Sequence, residues 1–143
     1  MKLHHLPGYI QSIYLVEYPN GLMLLDGCTR ADVDTLKAFI INELNRPFTD
    51  LKTVMVTHMH PDHAGAAHEL RRLTGCKIVS ADAEHSWYKG VSGWLMYLTD
   101  ITLACWVAGR LGRQRKSLWY AKTLKPDIKL TDKQVIPGFD EWC

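Results

Sequence analysis

Alternating and periodic apolar positions divide the first half of the chain into predicted strands and helices. The stretch 9–18 (YIQSIYLVEY) is apolar and β-branched, 19–21 (PNG) is typical of a turn, and 22–25 is apolar again. This pattern predicts a β-hairpin. Apolar residues at helical spacing predict a helix over 31–44. The sequence Asn45-Arg46-Pro47 is expected to end this helix.

Shorter elements are predicted after residue 47. The stretch 52–57 (KTVMVT) predicts a buried strand, and 66–73 predicts a helix that Gly75 ends. The stretches 77–80 and 128–130 predict two further strands. Since the sequence contains no repeat or linker, residues 1–143 are expected to form one domain that mixes strands and helices, of the α+β class.

The stretch 91–111 is nearly apolar and has the length of a membrane span. Asp100 lies near its centre, at a cost of roughly 2.5–3.5 kcal/mol in a bilayer, which argues against a span. We therefore favour a helix that packs on the protein or lines a pocket, with a membrane-surface helix and a span as the alternatives. The apolar stripe of this helix comprises Trp94, Leu95, Leu98, Ile101, Cys105 and Ala108.

Charge and composition narrow the class of protein. Seventeen Lys and Arg against fifteen Asp and Glu give a net charge of +2, and 47% of the residues are apolar, which excludes a disordered chain. Residues 91–116 are predicted to be an apolar helical insertion with a basic end, and no nucleic-acid partner is expected. The basic end consists of Arg110, Arg113, Arg115 and Lys116. Four scattered cysteines and a start without an apolar run favour a cytoplasmic protein.

One motif carries most of the chemical information. His58, His60, Asp62 and His63 lie within six positions, directly after the predicted strand 52–57 and before the predicted helix 66–73. Such a loop lies at the carboxyl end of a strand, where α/β proteins place their ligands. Imidazole nitrogens and carboxylate oxygens bind zinc, manganese and iron. His58 and His60 can point toward one metal ion, and Asp62 and His63 toward a second.

The HxHxDH loop after a buried strand resembles the metal-binding signature of the metallo-β-lactamase superfamily. The hairpin ending in Leu24-Leu25-Asp26-Gly27, followed by a helix and the motif strand, resembles that family as well. The resemblance implies a metallo-β-lactamase-like αββα sandwich with a two-metal site. It implies that His58 and His60 hold the first metal and that Asp62 and His63 hold the second. Zinc, two ions in a complete site, is the expected cofactor, with manganese or iron as alternatives.

The resemblance also implies a reaction. Metal-activated hydroxide would attack an ester, thioester, lactone or related bond of a small substrate, and the apolar segment suggests a hydrophobic or acyl-bearing one. Asp62 is the expected catalytic residue, because it can orient the nucleophile and later carry a proton. Asp26 is expected to orient a histidine ligand. The alternative for Asp26 is a turn and helix-cap residue.

The sequence departs from the family pattern after the motif. A third histidine for the first metal, a bridging aspartate and a last histidine are not found, and the remaining histidines are expected to be ordinary ones. They are His4, His5, His68 and His85. We therefore expect the N-terminal half of the fold, with a mixed sheet plus helices. The alternative function is a non-catalytic half-domain whose incomplete metal site needs a partner chain, possible in a homo-oligomer, or the missing C-terminal half. An iron-dependent redox role is a further alternative.

Overall fold

Six strands form one mixed sheet in the computed structural model, which describes residues 1–81, 87–131 and 135–139. In chain order they are β1 (Lys2–Pro7), β2 (Ser12–Tyr18), β3 (Gly21–Leu25), β4 (Leu51–Val56), β5 (Lys77–Ala81) and β6 (Ile128–Leu130). Neighbours in the chain are neighbours in the sheet. The pairs β1–β2 and β2–β3 are antiparallel, whereas β3–β4, β4–β5 and β5–β6 are parallel.

Three α-helices accompany the sheet in the described residues. They are α1 (Val33–Ala38), α2 (Ala67–Thr74) and α3 (Gly90–Arg110). A 3₁₀ turn at Arg30–Asp32 precedes α1 and a π turn at Phe39–Glu43 follows it, so this region spans the helix predicted over 31–44. Gly75 ends α2 with a left-handed backbone, φ +74°, as the sequence predicted.

The helices cover one face of the sheet. Successive side chains of a strand point to opposite faces, so Ile13 and Leu15 share one face and Tyr14 and Val16 the other. The larger core lies on the first face and joins strand residues to residues of all three helices. Its members include Ile13, Leu15, Leu24, Val54, Ile78, Leu36, Leu70, Tyr97 and Ile101.

The opposite face of the sheet carries a separate apolar cluster. Val16, Met23 and Val79 are buried there beneath Ile136 and Phe139. The 136–139 turn thus covers part of this face. Other members of the cluster stay partly exposed. They are Leu25, Met55, Ile128 and Leu130.

The first hairpin begins later than the sequence pattern predicted. The strand predicted over 9–18 begins at Ser12, and the preceding strand β1 was not predicted. Pro7 pairs with Ser12, so residues 8–11 form the connection between the two strands. Tyr9 turns away from the sheet, where its backbone N–H donates to the carboxylate of Asp32 at 2.6 Å.

The buried side of helix α3 shares only Ile101 and Ala108 with the predicted stripe. Its buried residues are Gly93, Tyr97, Ile101, Ala104 and Ala108. Three residues of the predicted stripe, Trp94, Leu95 and Cys105, are exposed instead. Helical structure ends at Arg110, so the other basic residues of the predicted insertion, Arg113, Arg115 and Lys116, lie outside the helix. By length and composition alone α3 could cross a membrane, and only 28% of its most apolar window is buried.

Buried Asp32 is expected to contribute strongly to stability, because its carboxylate accepts hydrogen bonds from three donors. It accepts the N–H of Tyr9 at 2.6 Å and, from Thr29, the N–H at 3.1 Å and the hydroxyl at 2.6 Å. We expect Asp32→Ala to lower the free energy of unfolding by about 3 kcal/mol, since buried donors lose a charged acceptor. Chemical denaturation measures this. The exposed Asp34→Ala on the following helix α1 should cost about 0.5 kcal/mol or less, and equal losses would contradict the assignment.

Candidate metal centre

The motif loop lies at the carboxyl edge of the parallel strands. It follows β4 and leads into α2, and the end of β3 places Asp26 beside it. The N–H groups of His63 and Ala64 both donate to the carbonyl of His60, at 3.0 and 2.9 Å, which closes the loop into a compact turn. The N–H of Ala66 donates to the carbonyl of Cys28 at 3.0 Å and fixes the start of α2 against the β3 end.

A close backbone approach joins the β3 end to the motif loop. Gly27 has a left-handed backbone, φ +62°, and a Cβ added there would lie 1.9 Å from the carbonyl oxygen of His63. Asp26 before it is also left-handed, φ +56°, an uncommon conformation for a residue with a side chain. Glycine at 27 therefore allows the two segments to touch and brings the Asp26 carboxylate to the histidines.

Three imidazoles of the motif lie in contact. The ring centroid of His58 is 4.0 Å from that of His63 and 4.7 Å from that of His60. Burial lowers the pKa of His58, and the neighbouring His63 and His60 lower it further. His58 is thereby held neutral at physiological pH, the form in which imidazole binds a metal ion.

Asp26 connects two of these histidines. Its Oδ2 lies 2.8 Å from Nδ1 of His63, and its Oδ1 accepts the N–H of Thr57 at 3.2 Å and the Thr57 hydroxyl proton. The Thr57 oxygen in turn lies 2.8 Å from Nδ1 of His58. Asp26 therefore contacts His63 directly and His58 through Thr57.

This hydrogen-bond chain fixes which nitrogen each histidine offers. Nδ1 of His63 faces two acceptors, the carboxylate and the carbonyl oxygen of Asp26 at 3.0 Å, so it carries the proton. The single proton of the Thr57 hydroxyl goes to Asp26, so that oxygen accepts from Nδ1 of His58. In both rings Nε2 keeps the free lone pair that a metal ion would use.

Within the described residues, the structure brings one set of three possible ligands together. One donor atom each from Asp26, His58 and His63 lie within 4.8 Å of one another. His60 and Asp62 do not belong to this set, but they lie next to it. Oδ2 of Asp62 is 3.4 Å from Nε2 of His63, and the half-exposed His60 ring stands 5.8 Å from the ring of Trp87. The donor set suits zinc, which takes imidazole and carboxylate ligands.

Helix α3 forms the wall of a cleft beside the loop. The cleft has a volume of about 180 Å³ and includes polar residues of the loop and apolar residues of the helix. Its lining comprises Ile10, His60, Pro61, Asp62, Asp100, Leu103, Ala104 and Val107. Asp100 thus faces the motif loop, with Oδ2 at 4.0 Å from Nε2 of His60.

Tyr88 holds Asp100, and Tyr120 connects Tyr88 to the motif loop. The Tyr88 hydroxyl donates to Oδ2 of Asp100 at 2.6 Å, and the Tyr120 hydroxyl donates to the carbonyl of Met59 within the motif. Burial raises the pKa of both phenols, and the Asp100 hydrogen bond adds to the rise for Tyr88. The sequence identified Asp100 as the one acidic residue of an apolar segment. It did not predict that Asp100, Tyr88 or Tyr120 would lie at the site.

The other histidines lie away from this cluster where the structure describes them. His4 contacts Glu17 at 2.7 Å and His5 contacts Ser12 at 2.9 Å, both across the β1–β2 pair. His68 lies on α2 and contacts the carbonyl of Thr123 at 3.1 Å. His85, predicted to be an ordinary surface histidine, lies outside the described residues.

The fold and the donor set together define an α+β domain with a group of residues at its sheet edge that could hold a metal ion. The family model described as Metallo-beta-lactamase superfamily matches residues 6–138. The chain therefore belongs to the metallo-beta-lactamase superfamily. This confirms the resemblance seen in the motif, and it confirms the predicted fold class of a mixed sheet plus helices.

Solved structures share this fold. A beta-lactamase from Chitinophaga pinensis is 21% identical, with a TM-score of 0.61 over 94% of this chain and 44% of its own. The metallo-beta-lactamase GOB-18 from Elizabethkingia meningoseptica is 22% identical, with a TM-score of 0.56 over 87% of this chain and 40% of its own.

A third structure is a class B3 di-zinc metallo-beta-lactamase, LRA-12 from an Alaskan soil metagenome. It is 26% identical, with a TM-score of 0.52 over 60% of this chain and 32% of its own. The chain thus spans less than half the length of each of these three structures, and it supplies about half of the fold.

Proposed function

We propose that this chain provides the metal-binding half of a metal-dependent hydrolase. The observation that carries the proposal is the set of Asp26, His58 and His63 at the sheet edge of a metallo-beta-lactamase superfamily member. Zinc is the proposed ion, with two ions in a complete site and with manganese or iron as alternatives. The di-zinc description of one related structure supports this choice.

Each motif residue has a proposed role. Nε2 of His58 and His63 faces away from the hydrogen bonds to Thr57 and Asp26, so these atoms are the proposed ligands. His60 joins His58 at the first metal, and Asp62 joins His63 at the second. Asp26 holds the His63 ring and fixes its tautomer, because both Asp26 oxygens already accept hydrogen bonds.

The proposed reaction is hydrolysis of an ester, thioester, lactone or related bond. A bound divalent ion supplies Lewis acidity, which polarises a carbonyl group and lowers the pKa of water. Asp62 is the proposed catalytic residue, which orients the attacking water and carries a proton to the leaving group. Ile10, Leu103 and Val107 give the adjoining cleft apolar walls, which favours a small hydrophobic or acyl-bearing substrate.

The alternative function is a non-catalytic half-domain that needs a partner chain, as in a homo-oligomer, or the missing C-terminal half. It is favoured by the second sheet face, where Leu25, Met55, Ile128 and Leu130 stay partly exposed and could pack against further structure. We also propose that the protein is cytoplasmic and that it has no nucleic-acid partner.

A substrate panel on the zinc-loaded chain tests the hydrolase. We expect turnover of an acyl ester, thioester or lactone that disappears when His58→Ala removes the metal, and no comparable loss in the control His5→Ala on β1. A folded chain that binds zinc yet hydrolyses no member of the panel, a chromogenic β-lactam included, would favour the half-domain. Size-exclusion chromatography with light scattering on the same sample then shows whether the chain is a monomer or an oligomer.

Asp26 offers a separate test of the positioning role. In Asp26→Asn the side chain keeps its size but loses the negative charge that faces Nδ1 of His63. We expect the affinity for zinc to fall by about 10–100-fold, with little change in the circular dichroism spectrum. A competition titration against a chelating dye measures this. The exposed Asp34→Asn serves as control, and an unchanged affinity in Asp26→Asn would leave Asp26 as a turn residue.

A further inference from the structure

Helix α3 presents an apolar face that no other described residue covers. Its inner side packs on the core through Tyr97 and Ile101, and Ala104 is buried in a smaller apolar cluster beside it. On its outer side, Leu95 is 55% exposed and Trp106 is 58% exposed. The outer side forms a shallow apolar groove, which we call the α3 outer face. It is lined by Leu95, Leu98, Thr99, Thr102, Leu103 and Trp106.

Charge is distributed unevenly along this helix. Asp100 is the one acidic residue between Gly90 and Lys116, and it points inward, where Tyr88 donates to it. Its side chain is only 16% exposed. The α3 outer face therefore carries no acidic group, although the sequence places an aspartate at the centre of the helix.

The basic end of the helix continues this face. Arg110 stands over the Trp106 ring, 5.2 Å from its centroid, and Arg115 is exposed. Arg113 and Lys116 anchor the segment to the protein, because they donate to the carbonyls of Gly8, Tyr9 and Ala31. Cationic groups are thus clustered at the carboxyl end of this face, while the exposed Lys89 precedes the helix at its other end.

We propose that the α3 outer face docks on an anionic lipid surface, with the helix lying in the interface. Exposed tryptophan and leucine beside arginine, without an acidic residue, match the chemistry of helices that bind anionic headgroups and bury an apolar face. The helix does not span the bilayer, because its opposite side packs on the core and holds Asp100. A second copy of the chain fits less well, since this face offers no acid to pair with Arg110 or Arg115.

This docking has a consequence for the cleft at the motif loop. Leu103 lines both the α3 outer face and the cleft that contains His60 and Asp62. A lipid surface on the outer face would therefore lie next to the cleft opening. Docking does not depend on hydrolysis, so its test stands apart from the test of the proposed function.

Vesicle binding of the full 143-residue chain tests the docking. The probes are vesicles of phosphatidylcholine alone and vesicles in which phosphatidylserine replaces part of it, read out by co-sedimentation and by the blue shift of tryptophan fluorescence. We expect binding to the anionic vesicles that weakens as salt is raised, and much weaker binding to the neutral ones.

Two matched pairs of variants locate the contact. Leu95→Glu should lower the partition coefficient at least about tenfold, while Leu3→Glu, on edge strand β1 and 57% exposed, should change it little. Arg115→Gln should lower it about fivefold, and Lys37→Gln on α1 should leave it unchanged. Circular dichroism of each variant verifies that the fold is intact.

Three results would overturn the proposal. The first is a folded chain that binds neither type of vesicle. The second is equal binding to neutral and anionic vesicles, which would remove the role of the basic end. The third is a concentration-dependent dimer that Leu95→Glu dissociates without any vesicle binding, which would make the α3 outer face an interface between copies of this chain.

Discussion

Replacing His58 with alanine is expected to abolish tight zinc binding, with a loss of affinity of at least about 100-fold. A ligand should matter at least as much as the residues that orient it, whose removal costs 10–100-fold. His58 lies at the centre of the cluster, 4.0 Å from His63 and 4.7 Å from His60 between ring centroids, and its lowered pKa keeps it neutral. Competition with a chelating dye measures the affinity.

The matched control for this prediction is His68→Ala. His68 lies on α2 directly after the motif and contacts only the Thr123 carbonyl and Arg71 among the described residues. Its removal should leave zinc affinity within about threefold of the unmodified chain, the usual size of a surface effect. If His58→Ala and His68→Ala bound zinc equally well, the motif loop would not be the metal site.

The second large effect is expected for Gly27→Ala. Its Cβ would lie 1.9 Å from the carbonyl oxygen of His63, on a backbone with φ +62°. Strain of roughly 1–2 kcal/mol from the left-handed backbone adds to roughly 1–3 kcal/mol from overpacking. We expect the free energy of unfolding to fall by about 3 kcal/mol or more and zinc binding to be lost, because the loop must move away from Asp26. Denaturant titration and a zinc titration measure the two losses.

Gly75→Ala separates the steric effect from the backbone effect. Gly75 has φ +74°, but no atom lies within 4 Å of a Cβ added there. This variant should cost roughly 1–2 kcal/mol and leave zinc affinity unchanged. Equal losses of stability at the two positions would mean that the contact between the β3 end and the motif loop does not constrain the site.

Local sequence pattern was sufficient for the elements around the motif. The hairpin β2–β3, strand β4 and helix α2 agree with their predictions to within a few residues, because each contains a run of apolar residues at a spacing typical of its element. Strand β1 was missed for the opposite reason. Its burial is confined to Leu6, while Leu3 is exposed, and adjacent His4 and His5 break the apolar alternation.

The surroundings of the motif could not be predicted from local pattern. Asp100 meets Tyr88 across 12 positions and lies near His60 across 40, and such contacts depend on where α3 packs. For the same reason the predicted stripe of α3 was right only at Ile101 and Ala108. The sequence supplied apolar residues around most of the helix, and only the packed structure selects Tyr97, Ile101 and Ala104 as the inner side.

The metal content of the purified chain tests the central claim most directly. After zinc loading and removal of free metal, elemental analysis should give at least about one tightly held zinc ion per chain, since the rings of His58 and His63 lie side by side and Asp26 orients them. The variant in which His58 and His63 are both replaced by alanine should retain none. Zinc content near zero in the unmodified chain, or equal content in the double variant, would contradict the assignment of the motif loop as a metal centre.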